Sequence, residues 1–196
     1  YGLHGSWLQL DSISFTGAAS QPALFNGDFE QWQSQTINTL DNWYVGNGEG
    51  QGFNRTTDVH SGTYALELQT YLGDRNGVPS ANAGQVGTGY CNNGPSCVWQ
   101  GGYPFSNQND TLAFWYKYAP SGNDSAQVNL TFKHLASSVW STGMNIYTPA
   151  NTYQYFQIPF NCPVAFDTVI IQFNSSSWPD TALSFIGSDF KVDDIY

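Results

Sequence analysis

The chain has 196 residues, with fifteen acids against five bases and a formal net charge of −10. Its acidity excludes the partners that need Lys and Arg to neutralise them: nucleic acid, anionic lipid and sulfated polysaccharide. No run of about 20 apolar residues is present, which excludes insertion of a spanning helix in a membrane.

Charged residues make up 10% of the sequence and aromatics 16%. Ordinary domains carry about 25% charge. Few charges and many aromatics describe a chain that folds. Its length fits one domain able to bury roughly 70% of its unfolded surface.

Residues 1–15 hold Gly5-Ser-Trp-Leu-Gln-Leu-Asp-Ser-Ile, and the end of the chain holds Gly187-Ser-Asp-Phe-Lys-Val-Asp-Asp-Ile. The shared pattern is Gly-Ser-x-(Leu/Phe)-x-(Leu/Val)-Asp-x-Ile. It points to residues 1–15 as the closing strand of a preceding module or a donor-like N-terminal strand, the plainer alternative being the first strand of this same sandwich. Residues 16–22 (Thr-Gly-Ala-Ala-Ser-Gln-Pro) then read as a linker, and residues 23–196 as the module. A displaced strand needs a sheet, so neighbouring modules or copies of the same chain are expected partners through it.

The next strand candidate is Tyr64–Leu68. The segment from Gly73 to Gly102 is glycine-rich and polar, and reads as one long loop, either functional or poorly ordered. Within it, Cys91 and Cys97 bracket the turn Asn-Asn-Gly-Pro-Ser, which lets two sulfurs meet. In an oxidising compartment they would form a disulfide; otherwise they are two loop thiols. Cys162 is distant and reads as buried.

Residues 112–118 alternate, with Leu112, Phe114, Tyr116 and Tyr118 on one face and Trp115 and Lys117 on the other. Residues 127–133 put Val128, Leu130 and Phe132 inward and Asn129, Thr131 and Lys133 outward. Residues 153–158 and 168–173 are further strands. Turn residues separate them at 60–62, 120–124 and 175–179. Short alternating strands with such turns predict an all-β fold, an antiparallel β-sandwich of jelly-roll type.

Catalytic signatures are weak. No His-Glu-x-x-His or Gly-x-Ser-x-Gly occurs, and Gly46-Asn-Gly-Glu-Gly-Gln-Gly52 fails the dinucleotide pattern. The composition suits neutral polysaccharide instead. Flat aromatic faces stack on sugar C–H faces, and amides read hydroxyls. The candidates are Trp99, Tyr103, Trp115, Trp140 and Trp178. Trp99, Trp140 and Trp178 stand in loop-like surroundings, and Trp43 reads as core.

Asn26-Gly-Asp-Phe-Glu30, Trp43, His60-Ser-Gly62 and Val192-Asp-Asp-Ile195 occur in that order. This order resembles the jelly-roll carbohydrate-binding modules of the galactose-binding-domain-like class. Gly102-Tyr-Pro-Phe105, the Tyr-Lys-Tyr ending at Tyr118, Ser175-Ser-Ser and Gly187-Ser resemble more specifically a carbohydrate metabolism domain of Bacteroidota surface proteins. The resemblance covers about residues 23–196 and departs at the Cys91–Cys97 loop.

The resemblance implies a structural Ca²⁺ site where the first and last strands meet. Glu30 and Asp193 would supply carboxylates. Backbone carbonyls would come from the Asp28 region and from the turn containing Ser61, with Asp194 spare. It also implies O-glycosylation at Asp-(Ser/Thr)-aliphatic/Ala triplets, hence at Ser12, Thr111, Ser125, Thr168 and Thr181. Asn-x-Ser/Thr sequons stand at Asn54, Asn109, Asn123, Asn129 and Asn174. Together these readings imply a non-catalytic, secreted, cell-surface-attached module that binds a neutral glycan on a calcium-pinned scaffold. The rival reading is a structural or adhesive repeat, or a filament subunit, without a sugar ligand.

Overall fold

Alternation produces two central strands of the fold. In β10 (Asn109–Ala119), Leu112, Phe114, Tyr116 and Tyr118 are all buried. In β11 (Ala126–His134), Val128, Leu130 and Phe132 point into the same core. The computed structural model describes residues 40–45, 52–75, 77–91, 99–135, 137–177 and 182–196, within the compact unit Ile37–Tyr196. The expected N-terminal strand and linker, 1–15 and 16–22, lie outside the described residues. So do Ser12, Asp28, Glu30, Cys97, Trp178 and Thr181.

Before β10 come β1 (Tyr44–Val45), β2 (Phe53–Thr56), β3 (Ala65–Gln69), β4 (Tyr71–Arg75) and β5 (Val78–Asn82). They are followed by β6 (Gln85–Gly87), β7 (Gly89–Cys91), β8 (Trp99–Gly101) and β9 (Tyr103–Pro104). After β11 come β12 (Ser137–Ile146), β13 (Ala150–Asn161), β14 (Thr168–Asn174) and β15 (Asp189–Asp193), with a 3-10 turn at Leu183–Phe185. The described part of the expected 73–102 loop is therefore largely strand. It contains the β4–β5 and β7–β8 hairpins and the paired strand β6. Short strands rich in Gly and polar residues lack the apolar alternation that marks longer ones.

Two sheets face one another. One runs β1-β6-β14-β11-β12, with β9 also on β14; the other runs β13-β10-β15-β3-β2. Their ladders are antiparallel. The fold is an antiparallel β-sandwich of jelly-roll type, as the alternation predicts.

Aromatics join the two sheets. Phe114 on β10 meets Phe173 on β14 edge-on, 5.2 Å between centroids at 83°. Phe132 meets Phe160 at 5.0 Å. Each such pair adds about 0.5–1.5 kcal/mol beyond the area it buries. Cys162 is buried and its Sγ donates to Val164 O at 3.3 Å.

One end of the sandwich is closed by buried polar groups rather than apolar ones. Asp124 accepts from Ser125 N at 2.7 Å and from the Ser176 hydroxyl. Thr70 bonds both Ser175 and Ser176, and Gly84 N donates to Ser175 Oγ at 2.9 Å. Satisfied networks of this kind fix how loops meet.

Candidate functional site

The outer face of the six-stranded sheet carries amides in register. The same alternation that buries Val128, Phe173 and Val86 turns their neighbours outward. One cross-strand row reads Asn145, Gln127, Asn174, Gln85, on β12, β11, β14 and β6. The next reads Gly143, Asn129, Gln172, Gly87 and then Tyr44 on β1. Strands stand about 4.8 Å apart, so the amide row spans about 14 Å.

The glycines let the amides lie flat. A Cβ on Gly143 would strike Asn129 Oδ1 and come within 2.7 Å of Val128 O. A Cβ on Gly87 would stand 3.0 Å from Gln172 Cγ. Asn129 Nδ2 donates to Gln127 Oε1 at 2.9 Å, which leaves each amide with unused capacity. Gln127, Asn129 and Asn145 are half-buried and Gln85 is exposed; Gln172 and Asn174, on the central strand β14 of the same rows, are buried.

Tyrosines stand at both ends. Tyr44 stacks on Tyr90 of β7 at 4.3 Å and 23°, yet remains exposed. At the other end Asn145 Nδ2 donates to Tyr147 Oη at 3.2 Å, and the Tyr147 ring is exposed. Neither row contains a charge. The nearest cation along β11, Lys133, is buried and donates to Gly101 O at 2.9 Å. The face is thus neutral, hydrogen-bonding and aromatic-ended.

A different cluster forms around the expected metal residues. Asp193 Oδ2 accepts from His60 N at 2.8 Å and from Ser61 N at 3.2 Å, and Oδ1 accepts from Asp194 N at 2.9 Å. Asp194, in the left-handed region at φ 46°, turns its carboxylate back on His60 Nδ1 (2.6 Å) and the Ser61 hydroxyl (2.8 Å). These two bonds, His60's first, hold the Asp194 carboxyl below the usual carboxylate range. The turn thus meets Asp193 through N–H donors, where a cation requires oxygen lone pairs. Among the described residues no three His, Cys, Asp or Glu side chains gather as a metal would need. Those residues build a hydrogen-bonded seam at Asp193, while Asp28 and Glu30, the other expected ligands, lie outside the described residues.

On the same outer face of the five-stranded sheet, Lys117 bonds Asp58 at 2.7 Å. Lys191 lies 2.8 Å from Asp189 and 3.3 Å from Glu67. Tyr153 donates to Asp58 O at 2.6 Å; burial first, then the surrounding acids, pushes its phenol well up.

Among the described side chains, the expected sugar aromatics Trp115, Trp140 and Tyr103 do not converge. Trp115 lies on the five-stranded sheet with the His60 imidazole flat against it. Trp140 is on β12, half-buried, 5.1 Å from Phe132; it packs on the core rather than standing in a loop. Trp99 belongs to the backbone of β8, in the hairpin beside the amide face, and so is not in a loop either. Tyr103 is exposed on β9, at a groove of about 1120 Å³ also lined by Trp43, Tyr64 and Asp194.

Among the expected acceptors of O-linked sugar, Thr111 and Thr168 are half-buried. Ser125 is 2% exposed, which shuts it off from any enzyme acting on the folded chain. The sequon residue Asn174 is buried as well, whereas Asn109 and Asn123 are exposed. The Cys91 backbone lies in β7.

The sequence reading missed Tyr44, Tyr90, Gln85 and Asn145. A usable signal existed for the centre of the face only. Asn129 and Gln172 stand at outward positions of two strands predicted from alternation.

No family model and no curated protein matches the chain. Solved structures do resemble it. A proposed glycoside hydrolase from Bacteroides thetaiotaomicron superposes with a TM-score of 0.62 at 17% identity, over 78% of this chain and 61% of that one. The chain therefore spans about three fifths of that protein's length. A family 16 carbohydrate-binding module gives 0.47 at 13% identity, over 76% and 86% of the two chains. A family 61 module solved with β-1,4-galactotriose gives 0.45 at 12%, over 80% and 87%. Among the described residues no helix is long and apolar enough to cross a membrane. The chain has the jelly-roll sandwich fold, and carbohydrate-binding modules recur among the structures it resembles.

Proposed function

We propose that this module binds a neutral glycan across the outer face of the six-stranded sheet and retains it without cleaving it. The observation that carries this reading is the pair of cross-strand rows holding Gln127, Asn129, Asn145 and Gln85, ended by Tyr44 and Tyr147. A sugar hydroxyl both donates and accepts, and so does an amide side chain. The tyrosine rings offer apolar faces to sugar C–H groups. The two rows hold neither acid nor base, which suits an uncharged ligand and retention over hydrolysis. Carbohydrate-binding modules among the structural neighbours support the same reading. The proposal includes an extracellular setting.

The test is a neutral-glycan array, followed by calorimetry on the best ligand with Gln127→Ala/Asn129→Ala. Binding should fall at least tenfold, about 1.4 kcal/mol. An array without any neutral ligand refutes the proposal. An unchanged affinity in the double variant removes the site from this face.

A further inference from the structure

We infer that β12 is a self-association edge, where two copies pair by antiparallel strand addition and continue the six-stranded sheet. Among the described residues, β12 and β13 are the terminal strands of their sheets, joined by residues 147–149. Each therefore presents a row of backbone N–H and C=O groups outward. Natural sheets guard such edges with charge, above all Lys, or with proline and bulges.

Here the charged guard is missing. Residues 135–166 contain no Asp, Glu, Lys, Arg or His, in a chain whose net charge is −10. Leu135, Val139, Met144, Tyr147, Tyr155 and Val164, all within this run, have exposed side chains. The two edges are not equivalent. β13 carries Pro159, which removes one donor. β12 has its register shift at Val139, opposite the Phe132/Lys133 step, and from Trp140 to Ile146 it is regular and free of proline.

The occupant follows from charge. Two copies of this acidic chain repel one another over most of their surface, and least across this flank. An antiparallel pairing of β12 with itself closes on a two-fold axis and needs no other partner. Met144, 44% exposed on the core-facing side of the strand, would be covered by the second copy. Asn145 and Gln127 of each copy would then lie near the junction, so the amide rows would run on through the dimer. That consequence rests on the glycan reading; the pairing itself does not.

The test is sedimentation equilibrium of the full chain against concentration and salt, by analytical ultracentrifugation. A monomer–dimer equilibrium is expected, tightening with salt as like charges are screened. Met144→Lys and Val139→Lys should each raise the dimer dissociation constant at least tenfold. Leu72→Lys, on β4 away from the flank, should not. Either edge variant serves if the other fails to fold. A monomer at every concentration, a dimer that survives both edge variants, or an open-ended polymer overturns the inference. Loss of glycan binding with an intact dimer would sink only the glycan reading.

Discussion

The imidazole of His60 lies flat on the indole of Trp115, with 3.8 Å between centroids and 11° between planes. Tyr155 covers the indole from another side, at 5.5 Å and 58°. The ring face that would stack on a sugar is therefore spent on the protein's own turn. Trp115→Ala should cost about 2 kcal/mol, from lost stacking and apolar area, and lower Tm by about 4–8 °C. Glycan affinity should stay within twofold, since the amide face is on the other sheet. A tenfold loss of affinity in a folded Trp115→Ala protein would return the indole to the binding site.

Acid should loosen the same turn. Asp194 is held below its ordinary range by His60 and Ser61, and Asp58 is held below its own, first by the hydrogen bond from Lys117. A depressed carboxyl pKa contributes stability that is fully present above the unfolded value, near 3.8 for Asp, and lost as pH falls through the folded value. Tm should therefore change little on this account from neutral pH down to about 5, and fall below about 4. Asp194→Asn should flatten part of that acid limb. An identical acid limb in wild type and variant would remove Asp194 from the account.

Gly143 tests the amide rows from beneath. Any Cβ there meets Asn129 Oδ1 and Val128 O. Gly143→Ala should displace Asn129, at a cost of about 1–3 kcal/mol for overpacking. Glycan affinity should fall as it does for Asn129→Ala. A stable Gly143→Ala protein with full affinity would show that Asn129 does not read the ligand. Tyr44→Ala should act separately, removing the aromatic end and lowering affinity about tenfold while leaving the core intact.

The sandwich was legible because alternation is a strong signal where one face is buried. Leu112 to Tyr118 and Val128 to Phe132 state their inward sides outright. The turn at His60 and the last strand at Val192–Asp193 were legible as neighbours, and Ser61 and Asp193 do meet. The sign of their contact was not legible, since no sequence pattern tells whether a turn shows carbonyls or N–H groups to a carboxylate. The amide face was hidden for a different reason. Its rows draw one residue each from strands far apart in the chain, and register exists only after pairing. Composition also drew attention to tryptophan, whereas Trp115 and Trp140 are occupied by packing and the exposed rings of the face are tyrosines.

The seam at Asp193 separates two ways of pinning the last strand. Its carboxylate takes three backbone N–H groups, from His60, Ser61 and Asp194. Charge-assisted bonds of this kind contribute about 1.5–3 kcal/mol where water is partly excluded. Asp193→Ala should thus lower Tm by several degrees, and Asp193→Asn should recover part of the loss, because its carbonyl oxygen still accepts. Chelator should leave Tm unchanged, since backbone donors hold the carboxylate without a cation. If EDTA lowers Tm and Ca²⁺ restores it, a cation sits at the seam, and Glu30→Ala should then abolish the response. Measuring Tm in EDTA for wild type, Asp193→Asn and Glu30→Ala therefore decides whether the strand end is locked by N–H donors or by an ion.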